Sequence, residues 1–177
     1  PVLEGNTYGV GVTTATPSQS GTPNFDGTIR SAPLLMQANG QIYPSLAVEV
    51  LRAFNDEKSY QMKVTEEVGV EWVRVGRQKP ISTTPQGDLM ISYWNKFKRY
   101  SFTDELPENA ILVFGVTAEG WNNPVSTPMG VMYPHEVQAN LIQTALTGIQ
   151  IKQSYFLEFV EIVLLLSVLL IVLVMVY

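Results

Sequence analysis

Three features of the 177-residue sequence predict an α/β (α+β) fold: a mixed β-sheet with flanking helices, plus one C-terminal transmembrane helix. Two stretches, around 46–54 and 137–146, carry apolar residues at helical spacing. Short β-type stretches bounded by Gly, Pro and Asn surround them. The last residues, 162–177, hold no charge and one small polar side chain, Ser167. At about 1.5 Å per residue they reach ~24 Å against a hydrocarbon core of ~30 Å, so the span is expected to be cut short and the chain to be a piece of a longer one.

In chain order, residues 8–12 alternate as a strand does, and 11–27 is a Gly, Thr, Ser and Pro-rich loop. The apolar run 29–36 contains Pro33 and is followed by Asn39-Gly40 and Gln41-Ile42-Tyr43, the pattern of a β-hairpin. Pro33 donates nothing to a ladder, which puts its strand at an edge. Pro44-Ser45 opens a helix with Leu46, Val50 and Phe54 at four-residue spacing beside Ala47 and Leu51. Strands are expected at 60–65, 68–75 and 89–93, and the continuous apolar run 111–116 is expected to be a strand covered on both faces. A connection over 120–130 leads to Pro134 and a helix that runs through Thr147 until Gly148 stops it, with Val137, Leu141 and Ala145 as its apolar stripe. Residues 149–161 mix Tyr155, Phe156 and Phe159 with Lys152 and Glu158, as an interfacial helix does.

Composition removes several function classes. Eleven basic against 16 acidic residues give a net charge of −5, which argues against nucleic acid as a partner. Without cysteine there are neither disulfide staples nor thiol chemistry. Neither Gly-x-Gly-x-x-Gly nor Gly-x-Ser-x-Gly occurs, so a nucleotide fold and a serine hydrolase lack support. The flank before the span holds Glu158 and Glu161 and no basic residue, which favours residues 1–158 outside the cytoplasm.

Each candidate site has a plainer reading beside it. His135 next to Glu136 invites a metal or acid–base role, but a lone histidine cannot supply a transition-metal set, and both suit the surface of a helix N-terminus. The acidic clusters Glu66-Glu67-Glu71 and Asp104-Glu105-Glu108 match no calcium loop and read as solvated turns. The aromatic and basic stretch 94–100 reads as a surface loop facing anionic lipid or an acidic neighbour. A ligand pocket is sought in the loop after the 111–116 run, at Trp121, Asn122, Asn123, Tyr133 and His135, because ligands gather between strand ends and helix N-termini. No metal or cofactor and no catalytic residue is expected. The expected partners are the membrane and protein partners or a second copy, with a small-molecule ligand admitted.

Two ordered sets of motifs bear a family resemblance. Phe25-Asp26-Gly27-Thr28-Ile29-Arg30-Ser31-Ala32-Pro33-Leu34-Leu35 with Tyr43-Pro44-Ser45-Leu46-Ala47 forms one. The apolar run 111–117, Ser126-Thr127-Pro128-Met129-Gly130, His135-Glu136-Val137-Gln138-Ala139-Asn140 and Leu146-Thr147-Gly148 form the other, with Gly87, 88–93 and Tyr100-Ser101-Phe102 between them. Together they resemble the type-2 CHASE domain, an extracytoplasmic sensor of bacterial receptors. Pro134-His135 stands where that family's pattern has Gly-Val, and the family's first transmembrane helix and initial α/β half are not seen before Pro1. The resemblance implies a sensor-like domain over 1–148 lacking its N-terminal part, a linker helix over 149–161 and a truncated transmembrane helix over 162–177. It implies a periplasmic input module that passes a ligand- or partner-induced change to the transmembrane helix. Beyond that would lie an output domain such as an adenylate cyclase, histidine kinase or serine/threonine kinase. The alternative is a membrane-anchored scaffold that binds proteins and senses nothing.

Overall fold

A computed structural model describes residues 27–66, 69–84, 86–94, 97–101, 103–108, 110–118, 123–149 and 155–176. The expected strand at 8–12 and its following loop, along with Trp121 and Asn122, lie outside these residues.

The chain around Pro33 is divided by chemistry that the sequence shows. β1 (Ser31–Pro33) pairs antiparallel with β7 (Asp88–Met90), Ala32 facing Leu89. After a bend at Leu34, β2 (Leu35–Ala38) turns through Asn39-Gly40 into β3 (Gln41–Pro44). Both turn residues have positive φ, 51° and 74°, the conformation that makes Asn-Gly a tight hairpin turn. The apolar run is thus two strands in two sheets, and the break falls after the proline.

The α1 helix (Leu46–Phe54) starts where Ser45 Oγ accepts the Val48 N–H at 3.4 Å and ends where Asn55 Nδ2 donates to Leu51 O at 2.6 Å. Its buried face is Ala47, Val48 and Leu51. β4 (Tyr60–Thr65), β5 (Gly69–Val75) and β6 (Ile81–Ser82) form an antiparallel sheet, its outer face crossed by the Lys63–Glu71 ion pair at 2.6 Å. β8 (Val125–Thr127) and β9 (Gly130–Met132) form a further hairpin, in a stretch whose composition is that of a plain connection. Thr127 Oγ1 donates to Gly130 O across its turn at 2.6 Å, and Ile29 N–H donates to Ser126 O at 2.9 Å. The α2 helix (Pro134–Thr147) then packs on α1. Ile29, Leu34, Leu51, Val73, Val75, Leu89, Val137 and Leu141 make the centre of one core, each almost fully buried.

Three expectations are corrected. Among the described residues there is no single mixed sheet but four small antiparallel ones. The run 111–116, expected as a doubly covered strand, joins no ladder: Ile111, Leu112, Phe114 and Val116 are exposed and only Val113 is partly buried. An apolar run becomes a central strand only when neighbours offer both edges, and the described residues offer neither.

The third correction concerns the apolar end. α3 (Tyr155–Val176) has 22 residues and starts before the expected span, inside the expected linker. Among the described residues no helix is long and apolar enough to cross a membrane. Glu158 and Glu161 fall in its first two turns, leaving an uncharged run of about 15 residues, ~22 Å of helix. The described side chains of α3, from Phe159 to Met175, are all exposed.

Candidate functional site

The α2 helix presents two stripes. Val137, Leu141 and Ala145 enter the core as expected, while Glu136, Asn140 and Thr144, at four-residue spacing, form a polar seam beside it. The seam holds the chain that leaves β7. Ser92 N–H donates to Thr144 Oγ1 at 3.0 Å, and the Thr144 hydroxyl shares its proton between Ser92 O at 3.2 Å and Asn140 O at 2.7 Å. Trp94 N–H donates to Asn140 Oδ1 at 2.8 Å, while Asn140 Nδ2 donates to Glu136 O at 2.8 Å. Arg99 places Nε and Nη2 on Glu136 Oε1, at 2.9 and 2.5 Å. Side chains of one helix thus serve the backbone of Ser92 and Trp94 as a neighbouring strand would.

Asn140 and Thr144 are almost fully buried. Such groups are costly without partners, so the seam specifies where Ser92 and Trp94 lie as well as adding stability. Tyr93 is fixed by its hydroxyl, which donates to Ile29 O at 2.7 Å, and burial raises its pKa. Glu136 has a second duty, since its Oε2 accepts the Tyr133 N–H at 2.9 Å and closes the first turn of α2. Burial pushes the Glu136 carboxyl up, but the Tyr133 N–H and the Arg99 guanidinium outweigh it and hold it below its ordinary value.

Above the seam opens a cleft of about 450 Å³. Trp94, Phe97 and Arg99 form one wall, Met129, Val131 and Met132 of the β8–β9 hairpin the other, and Glu136 and Asn140 the floor. Its volume falls within the ~300–1,000 Å³ range of small-molecule sites, and its mix of aromatic and thioether walls with a few fixed polar groups is usual for them.

Of the sequence-predicted site residues, Trp121 and Asn122 lie outside the described residues, and Asn123 is exposed just before β8. Tyr133 stands at the N-cap of α2, its ring stacked on His135 with centroids 5.6 Å apart. The His135 ring packs so tightly over Gly115 that a Cβ there would overlap it. His135 Nδ1 is buried without a hydrogen-bond partner among the described residues. Tyr133 and His135 therefore tie the 111–118 segment to α2, and neither lines the cleft. The cleft lies in the expected neighbourhood, but Met132 and Glu136 next door line it. The 94–100 stretch, with the composition of a surface loop, supplies a wall. Its signal is present in the sequence, since glutamate, asparagine and threonine at 136, 140 and 144 mark a polar helix face, and aromatic residues around Arg99 are what it holds.

Among the described residues no three metal-ligating side chains converge. The fold is a mixed α/β arrangement of small sheets and helices. The chain belongs to the CHASE2 domain family, whose family model matches residues 3–176. No curated protein and no solved structure matches it. CHASE2 domains are extracytoplasmic sensor domains of signalling receptors, so this segment is a sensory module and not a catalytic one.

Proposed function

We propose that the cleft above α2 is the sensing site of this module and that α2 carries its occupancy toward the membrane. The observation behind this is the polar seam. Any molecule that moves the wall at Trp94 and Arg99 also pulls on Asn140 and Glu136, to which these two residues are hydrogen-bonded, while Ser92 next to the wall is held by Thr144 one turn further along α2. A ligand shifts such an element only by binding one of its arrangements better than the other. Downstream, α2 ends at Gly148, whose left-handed φ of 65° breaks the helix before α3. In this reading the signal leaves α2 at Gly148 in the direction of α3, whose described side chains are exposed and mostly apolar.

The test is a fusion of this chain, through α3, to a bacterial kinase or cyclase reporter. Arg99→Glu and Glu136→Arg each change basal output several-fold, and the double exchange returns it toward the parent value. If all three leave output unchanged while the proteins remain folded, α2 does not carry the signal.

The exposed apolar run favours a second reading. Ile111, Leu112 and Phe114 offer exposed apolar side chains in the way that recruited strands do. A scaffold that binds a protein partner there would give unchanged reporter output and a partner lost on Phe114→Asp.

A further inference from the structure

Hydrogen-bond valences in the cleft restrict what it accepts. Both oxygens of Glu136 are in use, Oε2 by the Tyr133 N–H and Oε1 by Arg99. Asn140 Oδ1 takes the Trp94 N–H, and its Nδ2 points to Glu136 O at 2.8 Å and to Met132 Sδ at 4.0 Å. Every side-chain oxygen of the floor therefore already has a partner within the protein. Arg99 is different, because a guanidinium carries five N–H donors in a planar fork and the Glu136 contact uses two of its nitrogens on one oxygen. Its side chain is 79% exposed against 17% for Glu136, so the outer edge of the fork faces the mouth.

Resting on the sensing role given to the cleft, we infer that its ligand is a small amphipathic carboxylate. An aromatic or branched apolar body lies between Trp94, Phe97, Met129, Val131 and Met132, and the carboxylate accepts two N–H bonds from the outer edge of Arg99. Three observations select this chemistry. Five of the lining side chains are apolar and include an indole and a phenyl ring, which a flat or branched hydrocarbon body can pack against. The most exposed polar group is a donor, the Arg99 guanidinium, whose fork fits a planar, bidentate acceptor. The Glu136 charge is already neutralised by Arg99 and the Tyr133 N–H, so one negative ligand group meets little repulsion at that point. The carboxylate also shares Arg99 with Glu136, which places it at the end of the seam that α2 reads.

The test uses the whole chain in lipid nanodiscs, with naphthylacetate and the isosteric neutral naphthylacetamide as probes and binding read by calorimetry and saturation-transfer NMR. Naphthylacetate is expected to bind with the amide weaker by about tenfold or more, the size of one charge-assisted contact. Arg99→Gln removes that difference and Arg99→Lys, which keeps the charge and loses the fork, retains part of it. Met132→Trp fills the cleft without touching the ion pair and abolishes binding of both probes, which keeps the test valid if Arg99→Gln fails to fold. Equal binding of acid and amide overturns the carboxylate and leaves the cleft as a ligand site. If neither probe binds while the reporter still answers to Arg99 and Glu136, the ligand class is wrong and the sensing role stands. If both are silent, both fall.

Discussion

Asn140 bridges a buried gap with each end of its amide, Oδ1 to the Trp94 N–H and Nδ2 to the Glu136 carbonyl. Asn140→Ala leaves a backbone donor beside the core without its acceptor, for a cost of about 2–3 kcal/mol. Urea unfolding measures it, and faster hydrogen exchange at the Trp94 amide locates it in the seam. Asp88 presents the reverse situation, a carboxylate whose burial is its problem. At 2% exposure its carboxyl is pushed up from 3.8 to about 6. A folded-state value above the unfolded one means that protonation favours the fold. The contribution is complete below about pH 4 and is lost as pH rises through about 6. Asp88→Asn therefore stabilises the protein at about pH 8 by roughly 1–3 kcal/mol, because a tenfold change in proton affinity between the unfolded and folded chain corresponds to about 1.4 kcal/mol. At about pH 4 the same substitution does nothing. Thermal melts of both proteins across that range check the sign. Equal differences at both ends would mean that the effect is packing and not charge.

At the scale of elements, legibility in the sequence follows how local each signal is. α1 and α2 lie where the sequence puts them because their ends are set by residues within one turn: Ser45 and Asn55 for α1, Pro134 and Gly148 for α2. The Asn39-Gly40 hairpin is legible for the same reason. The 111–116 run is not, because its hydrophobicity calls for cover on two faces without naming the neighbours that provide it. The β8–β9 hairpin is hidden by a Pro-Met turn, which lacks the Asn-Gly signature although Gly130, at φ 102°, supplies a positive φ one residue later. The cleft is legible in place and not in membership, since strand-end reasoning finds the N-terminus of α2 but only tertiary packing brings Trp94 and Arg99 to it. Gly148 gives a prediction at this scale. With φ at 65° and open space where a Cβ would go, Gly148→Ala meets backbone strain without a clash and costs about 1 kcal/mol, whereas Gly148→Asn costs less. Chemical denaturation of the pair separates backbone strain from crowding, because crowding would make asparagine the worse substitution.

For the whole molecule, the distribution of charge and apolar surface decides how it would meet a bilayer. The chain carries −5 overall, and its most basic stretch, around Lys98 and Arg99, has Arg99 committed to Glu136. Electrostatic attraction to anionic lipid is therefore weak, and what it supplies is screened within about 8–10 Å in physiological salt. Residues 164–175 of α3 contain no charged residue, and the described side chains of this stretch are exposed. Apolar transfer and not charge should drive membrane association. The full chain is expected to float with neutral phosphatidylcholine vesicles as well as with vesicles containing anionic lipid, and to stay bound as salt is raised. Leu165→Lys and Val172→Lys introduce charge at about 3 kcal/mol each if α3 lies in the hydrocarbon, enough together to leave most of the chain in the soluble fraction. Retention of the double variant on anionic vesicles alone, released by salt, would place the helix at the headgroups and the membrane contact in electrostatics after all.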